Sequence, residues 1–517
     1  MDYPIWEIGI GGGVLMAVVA VTHVIVAHFA VGGGLLIAVT ETLAVRRGDF
    51  EFRELARRSS LMLILVSTVY GAISGVGIWV VAGLISPGAI SALIHTYVWG
   101  WAIEWCFFIL EIVAALVYYS TWGKITKGAH LLVGWLYFIA AYLSLVVING
   151  IITFMLTPGR WLETHAFWDG FFNPTYWPSL VLRTGIAIVM AAVFLAFVAG
   201  RASTENLPRV TRYVGLWLIA GSLVSYAGFR WWEAALPDTV AAVFSGEAPV
   251  LAALAATRSF ALWSLAVAMI LGVLFFLVAP RSIRAVVPAV AVALAAFAFF
   301  GGYERLREGV RKPFLIHSHL FSNGLLVEDV GELNAGGLRS MSGWVALHSD
   351  DDAVGLGRQV FKTQCSSCHT IDGYQSIRRV LPTLDDVVAV VSEQGEISGE
   401  RAYEAHCSSC HGDDFTAEDV RGMLPTVEEI RDDPEFIHDL NLGMITATLV
   451  KLHEMGEYYA AAAPGELIDT HQTPYPVMPP LVGSDDELEA LAAYLGDLAA
   501  GRAEPDETIR AARKGGE

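Results

Sequence analysis

The chain has 517 residues, of which 55% are hydrophobic and only 16% are charged, so an ordinary soluble protein is excluded and a polytopic protein of the lipid bilayer is indicated. The formal net charge is −19, and residues from 341 onward hold 33 Asp and Glu against 12 Lys and Arg. This acidic C-terminal region is either a solvated surface or a face that attracts a basic partner. No nucleic-acid partner is expected.

Eight apolar windows of about twenty or more residues predict eight transmembrane helices. They lie at 12–44, 60–85, 93–121, 129–156, 177–200, 211–234, 256–279 and 284–303. The predicted fold is therefore an all-α polytopic helix bundle, to which a soluble α-helical domain is attached.

The connectors between these windows alternate in charge. Four are basic, at 46–58, 123–130, 200–212 and 279–284. Three are poor in Lys and Arg and rich in aromatic residues and Pro, at 86–91, 157–179 and 236–249. Because basic loops stay in the cytoplasm, both termini are expected outside. This predicts a multi-pass protein of the inner (cytoplasmic) membrane with its C-terminal domain on the periplasmic or extracellular side.

Two Cys-x-x-Cys-His motifs follow the last span. They consist of Cys365, Cys368 and His369, and of Cys407, Cys410 and His411. This motif attaches haem c covalently, and its histidine is the proximal iron ligand. Attachment takes place outside the cytoplasmic membrane, where the charge pattern also puts the motifs. A zinc site or a redox dithiol would not require these histidines, so two covalent haem c groups are expected.

A haem c usually needs a distal ligand as well. Met478 lies in a Pro-rich loop followed by a predicted helix, and the segment 475–495 strongly resembles the closing segment of class I cytochromes c. Met478 is therefore the best distal ligand. For the second distal ligand, four residues compete: Met423, Met444, Met455 and His453. Since only 42 residues separate the motifs, we expect one dihaem unit or two interleaved small ones.

These assignments divide the chain into four parts. The membrane domain covers 1–316 and is followed by a Gly-containing linker, 317–347, that can also pack on the outer face. The c-type cytochrome domain with both motifs covers 348–503. The last residues, 504–517, are predicted to be a disordered tail.

Ionisable side chains inside the spans are few, and such residues are expensive in a bilayer unless they have a function. They are His23, His28, Glu41, Glu104, Glu111 and Arg183. Glu104 and Glu111 are seven residues apart and share a helix face, which favours a proton path. The alternative is a carboxylate pair buried against an arginine. For an intramembrane histidine in a haem protein, iron ligation is the favoured role.

The order and spacing of these residues resemble subunit I of the cytochrome bd oxidases over roughly residues 10–316. Four segments carry the likeness: THVIVAHFAVGGGLLIAVTET (22–42), WAIEWCFFILE (101–111), FFNPTYWPSLVLRT (171–184) and REGVRKPF (307–314). The resemblance implies a second, homologous membrane subunit. It also implies that His23 ligates one high-spin membrane haem and Glu308 another, of type b, type d or both. Glu104 and Glu111 would lie on the proton route or at a haem, and Arg311 would bind a propionate or steady Glu308.

The chain also departs from that family. The family's low-spin haem uses a histidine where this chain has Arg183 or Leu182, and a methionine at about Phe260. The long quinol-binding loop after the sixth helix is missing, and the cytochrome domain replaces the ninth helix. His317 and His319 have no counterpart in the family, and they are either ligands of an extra haem or surface histidines.

The predicted function is that of a terminal oxidase-like oxidoreductase. Electrons would enter from a periplasmic cytochrome or complex through the haem c groups, bypass quinol, and reduce oxygen to water at the membrane haems. Two alternatives stay open: a reductase of another small acceptor such as nitric oxide, and a non-catalytic electron-transfer subunit.

Overall fold

The computed structural model describes residues 5–199, 206–244, 249–278, 286–348, 352–392, 398–408, 416–463 and 465–502. The predicted tail at 504–517 lies outside these ranges. Within these ranges the fold is all-α apart from one small hairpin, in agreement with the predicted fold class.

The N-terminal part is a bundle of long helices. They are α1 (Gly12–Arg47), α2 (Phe50–Ile85, with a π-helical stretch at Ile64–Gly71), α4 (Val98–Ser120), α5 (Lys127–Leu156), α8 (Tyr176–Ala199), α9 (Leu207–Ala234), α11 (Pro249–Val278) and α12 (Val286–Arg311). Short helices connect them: α3 (Pro87–Thr96), α6 (Trp161–Thr164), α7 (Phe167–Phe171) and α10 (Asp238–Ala241), with a 3₁₀ turn at Ala242–Phe244.

Seven of these helices are long and apolar enough to cross a membrane. The sixth predicted span, 211–234, lies within α9, which is 28 residues long but is not among the seven. Arg, Ser, Gly and Tyr residues dilute the hydrophobic stretch of α9. It nevertheless packs along its length against α8 and α11 inside the bundle. The protein is therefore a multi-pass membrane protein.

The C-terminal part begins with β1 (Phe314–Ile316) and β2 (Leu320–Phe321), an antiparallel hairpin in which Phe314 faces Phe321. Its helices are α13 (Val330–Gly336), α14 (Leu338–Met341), α15 (Gly343–His348), α16 (Ala353–Gln364), α17 (Ile377–Val380), α18 (Leu384–Ser392), α19 (Gly399–His406), α20 (Ala417–Met423), α21 (Val427–Asp432), α22 (Phe436–Ala460) and α23 (Asp485–Ala499), with a 3₁₀ turn at Thr470–Gln472. The predicted linker, 317–347, is thus folded into part of this hairpin and three short helices.

A tight corner joins α1 to α2. The last turn of α1 holds Arg46 and Arg47, which suit the negative end of the helix dipole. Gly48 adopts the left-handed conformation at φ 66°, and Asp49 then caps α2 by accepting from the backbone N–H of Phe52 at 3.1 Å. The two helices therefore run antiparallel.

Glycines allow the bundle helices to approach backbone to backbone. A Cβ at Gly32 would collide with the carbonyl of Ala187, and one at Gly228 would collide with the backbone of Leu182. This close approach of α8 to α1 and α9 fills the centre of the bundle with helix backbone.

The C-terminal part has two separate hydrophobic cores. The first-motif core contains Phe314, Phe321, Val360, Phe361, Met455, Leu481, Val482, Leu491 and Tyr494. The second-motif core contains Ala389, Val390, Ala402, Tyr403 and Val420. We call the end of the bundle where α1 begins and α12 ends the docking end, because the first-motif core contacts it there; the opposite end is the far end.

Candidate functional site

The first haem motif forms a tight turn at the end of α16. The backbone N–H of Cys365 donates to Phe361 at 2.8 Å, and that of His369 donates to Cys365 at 2.8 Å. His369 Nδ1 donates to the carbonyl oxygen of Gln375 at 3.3 Å, which leaves Nε2 with the lone pair that coordinates iron. Burial lowers the pKa of His369 and so favours the same neutral ring. These residues fit a covalent haem c.

Met478 lies in the loop before α23, and α23 crosses α16. The crossing is close, because a Cβ at Gly357 would collide with the carbonyl oxygen of Ala490. Gln364, which directly precedes Cys365, donates to the carbonyl of Val482 at 2.7 Å and accepts from its N–H at 2.9 Å. The half-buried Met478 therefore belongs to a loop that is anchored beside the first motif.

The second motif follows α19. Cys407 is half-buried against the second-motif core, and its N–H donates to Tyr403 at 2.8 Å. Cys410 and His411 lie outside the described residues. The motif therefore starts on a helix as the first one does, but on a different hydrophobic core.

The structure separates the four competing distal ligands. Met423 is 70% exposed, whereas Met455 is buried in the first-motif core. His453 Nδ1 lies 3.2 Å from the carbonyl oxygen of Leu481, and Met444 is half-buried on α22. None of these contacts assigns a residue to the second haem.

His23 faces α2 from the docking half of α1. Its Nδ1 lies 3.1 Å from Ser74 Oγ. The ring lies over Gly75, where a Cβ would come within 3.1 Å of His23 Cε1. A hydroxyl on Nδ1 fixes the ring and leaves Nε2 for a metal, which is the arrangement of histidine ligands in metal sites. His23 therefore fits the haem-ligand role.

Glu104 and Glu111 lie on α4 as predicted, on the side that meets α5. Ser144 Oγ donates to Glu104 at 2.7 Å, and Tyr137 Oη donates to Glu111 at 3.2 Å. Glu111 is buried. Within the described ranges neither carboxylate forms an ion pair with an arginine. The polar partners are hydroxyl groups, which can relay protons.

A further cluster of buried polar side chains lies at the far end of the bundle. Tyr118 Oη donates to Glu41 at 2.8 Å, and His130 Nδ1 lies 2.9 Å from both oxygens of that carboxylate. His130 Nε2 donates to the carbonyl of Tyr118 at 2.9 Å. His130 therefore joins the Glu41 carboxylate to the backbone of α4 through its two ring nitrogens. Arg53 Nε is 3.9 Å from Glu41.

Sequence reasoning missed Tyr118 and His130. A signal was available, since Tyr118 continues the spacing of seven residues from Glu104 to Glu111. At ~1.5 Å per residue, each position in this series lies ~10.5 Å from the next along the axis of α4.

Glu308 and Arg311 meet at the docking end of α12, next to Arg307. Arg311 Nη2 is 2.5 Å from Glu308 Oε2, and Arg307 Nη2 is 2.7 Å from Glu308 Oε1. The Glu308 side chain is still 43% exposed, and each carboxylate oxygen has a second lone pair. Arg307 Nη1 and Arg311 Nε are buried without a hydrogen-bond partner in the described structure. An acidic group such as a haem propionate would satisfy them, and the residues fit that cofactor.

Two family descriptions match the chain. Residues 14–229 match "Cytochrome bd terminal oxidase subunit I", and residues 396–495 match "Cytochrome C oxidase, cbb3-type, subunit III". Residues 14–229 are a cytochrome bd subunit I domain. Residues 396–495 form a cytochrome c domain. The resemblance predicted from the sequence is thereby confirmed for these residues, and the chain is a terminal oxidase-like membrane protein with a cytochrome c domain.

Among solved structures, the bd oxidase from Geobacillus thermodenitrificans is similar with a TM-score of 0.49 and 17% identity, over 58% of this chain and 87% of that chain. No curated protein matches the chain.

The helix bundle carries a buried ion pair at Arg183, one of the two residues that the resemblance aligns with the family's low-spin haem histidine. Arg183 is 1% exposed and lies 3.2 Å from Glu304 Oε1, and its Nη1 lies 3.5 Å from His28 Nε2. Leu182 is packed against the backbone of α9, and Phe260 is 56% exposed on the surface of the bundle. The buried surroundings of Arg183 are therefore occupied by its salt bridge with Glu304.

This salt bridge gives a stability prediction. Arg183→Leu is expected to lower the free energy of unfolding by about 3–5 kcal/mol, because it leaves Glu304 buried with a single partner, Arg307. The double variant Arg183→Leu/Glu304→Gln should recover most of that loss. Thermal unfolding in detergent measures both. Losses that simply add in the double variant would contradict the pairing.

His317 and His319 lie at the docking end of the bd domain. His317 is buried and its Nδ1 is 2.9 Å from Ser318 Oγ. Burial lowers its pKa to about 4, so the ring is neutral. His319 packs edge-on against Trp161 at 4.9 Å between ring centroids. Within the described part of the chain, no group of three or more His, Cys, Asp or Glu side chains could hold a metal ion. His317 is therefore not a surface histidine, whereas ligation of an extra haem remains a prediction for both histidines and a surface role remains one for the half-buried His319.

Proposed function

We propose that the chain is a terminal oxidase that takes electrons from a periplasmic cytochrome or complex through two covalent haem c groups. Two high-spin membrane haems, of type b, type d or both, receive these electrons, and oxygen is reduced to water with cytoplasmic protons. The proposed location is the inner membrane, with the cytochrome c domain on the periplasmic or extracellular side. A second, homologous membrane subunit is the proposed partner.

The observation that carries this proposal is the continuity of the first-motif core with the docking end of the bd domain. Phe314 and Phe321, which follow α12 directly, are buried in the same core as Phe361. The N–H of Ile468 also donates to Ser318 Oγ at 2.8 Å. An electron carrier fixed at this end favours an electron entrance from outside. Arg183 forms an ion pair at a position that the resemblance gives to the low-spin haem histidine. This pairing supports the proposal that electrons do not enter from quinol.

Haem iron supplies reversible one-electron storage and, where an axial position is open, a binding site for oxygen. His23 and Glu308 are the proposed ligands of the membrane haems. Arg311 holds Glu308 in place or binds a propionate. His369 and His411 are the proposed proximal ligands of the haem c groups, and Met478 is a distal ligand.

Protons are proposed to move along α4 from the far end. The hydrogen-bonded pair of Glu41 and His130, beside Tyr118, is the innermost site of this route. Glu111 with Tyr137 and then Glu104 with Ser144 follow. Steps of ~10.5 Å need bridging water or side-chain rotation, since a direct hydrogen bond spans only about 3 Å.

The test compares electron donors for the purified protein in detergent. We expect rapid oxygen uptake with a reduced, basic soluble cytochrome c and none above background with a reduced quinol. The opposite preference would contradict the proposed entrance.

A carbon monoxide difference spectrum of the reduced protein, with haem extraction, separates the alternative functions. An oxidase has an iron that binds carbon monoxide, whereas a pure electron-transfer subunit has only six-coordinate haems. Turnover with nitric oxide but not with oxygen would favour the alternative in which the protein reduces nitric oxide.

A further inference from the structure

The two haem motifs occupy different positions relative to the bd domain. Cys365 packs against the first-motif core, which includes Phe314 and Phe321 from the end of α12. Cys407 packs against the second-motif core, which residues 389–420 form among themselves. The motifs therefore belong to two small units that are interleaved along the chain.

The closing segment belongs to the first unit. α23 crosses α16, and Gln364 forms two hydrogen bonds with the backbone of Val482, four residues after Met478. The family match at 396–495 begins after the first motif and so pairs the second motif with Met478 in sequence. The tertiary contacts pair Met478 with the first motif instead. We propose that Met478 is the distal ligand of the first-motif haem, and that this haem is the exit haem that passes electrons to the bd domain.

The first motif is docked on the start of α1. A Cβ at Gly373 would collide with the carbonyl oxygen of Gly9, so the turn after His369 lies directly on the chain that enters α1. A Cβ at Gly11 would lie 3.3 Å from Thr370 Cγ2, and one at Gly13 would lie 3.9 Å from the carbonyl oxygen of Ser367. Gly11 has φ 103°, a conformation that side chains rarely adopt.

The same helix carries His23. It lies ten residues after Gly13, which is ~15 Å along the helix axis. The first motif is therefore fixed at one end of the element that bears the proposed membrane-haem ligand. This is the position of an electron exit from the cytochrome domain, and the inference here rests on the proposed function.

The second unit is suited to electron entry. Its helices α18, α19, α20 and α21 pack on one another. It is linked to the first unit by the bond from Asn441 Nδ2 to the carbonyl of Pro382 at 3.3 Å. Its exposed surface is strongly acidic: Asp385, Glu400, Glu404, Glu418, Asp419, Glu428, Glu429, Asp432 and Asp433. A basic electron donor would be attracted to this surface, and its binding would weaken with salt.

The ligand assignment is tested on two forms of the full-length protein, each with one haem c. Cys407→Ser/Cys410→Ser keeps only the first-motif haem, and Cys365→Ser/Cys368→Ser keeps only the second. Met478→His is then added to each. We expect it to lower the reduction potential and to abolish the near-infrared band of methionine-ligated ferric haem only in the first form, since a methionine ligand raises the potential.

Met341→His is the matched control, because Met341 is exposed and is not a candidate ligand of either haem, and it should leave both potentials unchanged. An effect of Met478→His confined to the second-motif haem would overturn the assignment. This readout does not depend on oxygen uptake, so it stands even if the proposed function fails.

The order of the haems is tested by stopped-flow reduction with a basic cytochrome c. Loss of the second-motif haem should slow the first electron transfer at least tenfold and remove most of its salt dependence. Loss of the first-motif haem should leave that step fast and block reduction of the membrane haems. The reverse pattern would place the exit at the second motif.

Discussion

Replacing His23 by alanine is expected to remove one membrane haem and to lower oxygen uptake at least about 100-fold. Removing a hydrogen-bond partner of a metal ligand already lowers metal affinity or activity up to about 100-fold, and removing the ligand itself lowers them further. The reason lies in the geometry of α1 and α2, where Ser74 holds His23 Nδ1 at 3.1 Å and Gly75 leaves room for the ring. Haem extraction and oxygen uptake of the purified variant measure the effect.

The other histidine of the same helix provides the control. His28 is held by the carbonyl of Val24 at 2.8 Å and contacts Arg183, so His28→Gln should lower stability but keep the haem content. Ser74→Ala should give an intermediate loss of activity, because the ring of His23 is then less well oriented. A full haem complement in His23→Ala would rule out His23 as a ligand.

Glu111→Gln is expected to lower oxygen uptake about 10²–10⁴-fold without changing the haem spectrum. Glutamine keeps the size and the bond from Tyr137 but cannot carry a proton, and general acid–base groups contribute about this factor. Steady-state oxygen uptake and the reduced-minus-oxidised spectrum are measured on the same sample.

The spectrum separates the two roles that the family resemblance allows for Glu111. An unchanged spectrum with low turnover assigns it to the proton route, whereas loss of a haem band places it at a haem. Glu54→Gln is the matched control, because Glu54 forms surface ion pairs with Arg57 and Arg58 outside the proposed route. Normal turnover in Glu111→Gln would exclude both roles.

Much of the architecture follows from local sequence patterns. Long apolar runs must form helices in a bilayer because the backbone has no other hydrogen-bond partners there, so the places of the spans could be predicted, although several helix ends differ from the predicted bounds by five residues or more. Where the pattern weakens, the prediction weakens as well: α9 is a long packed helix, yet it is less clearly a span than its neighbours. The haem motifs were equally visible, since attachment chemistry fixes the spacing of Cys365, Cys368 and His369.

The partners of buried polar groups could not be predicted in this way. Glu41, Tyr118 and His130 come from three different helices, and nothing in their local sequences says that they are hydrogen-bonded to one another. Arg183 was visible as a departure from the family, but its pairing with Glu304 depends on the packing of α8 against α12. Such contacts join residues far apart in sequence, and they arise only when the helices pack.

The sequence alone determined that this is a helical membrane protein with a haem c domain and a bd-like body. Only the tertiary structure decided where the closing segment packs. By position in the chain, Met478 follows the second motif more closely than the first. The crossing of α16 with α23 and the bonds from Gln364 to Val482 bring it to the first motif instead, because the second-motif unit forms a core of its own and leaves the terminal helices to pack on each other.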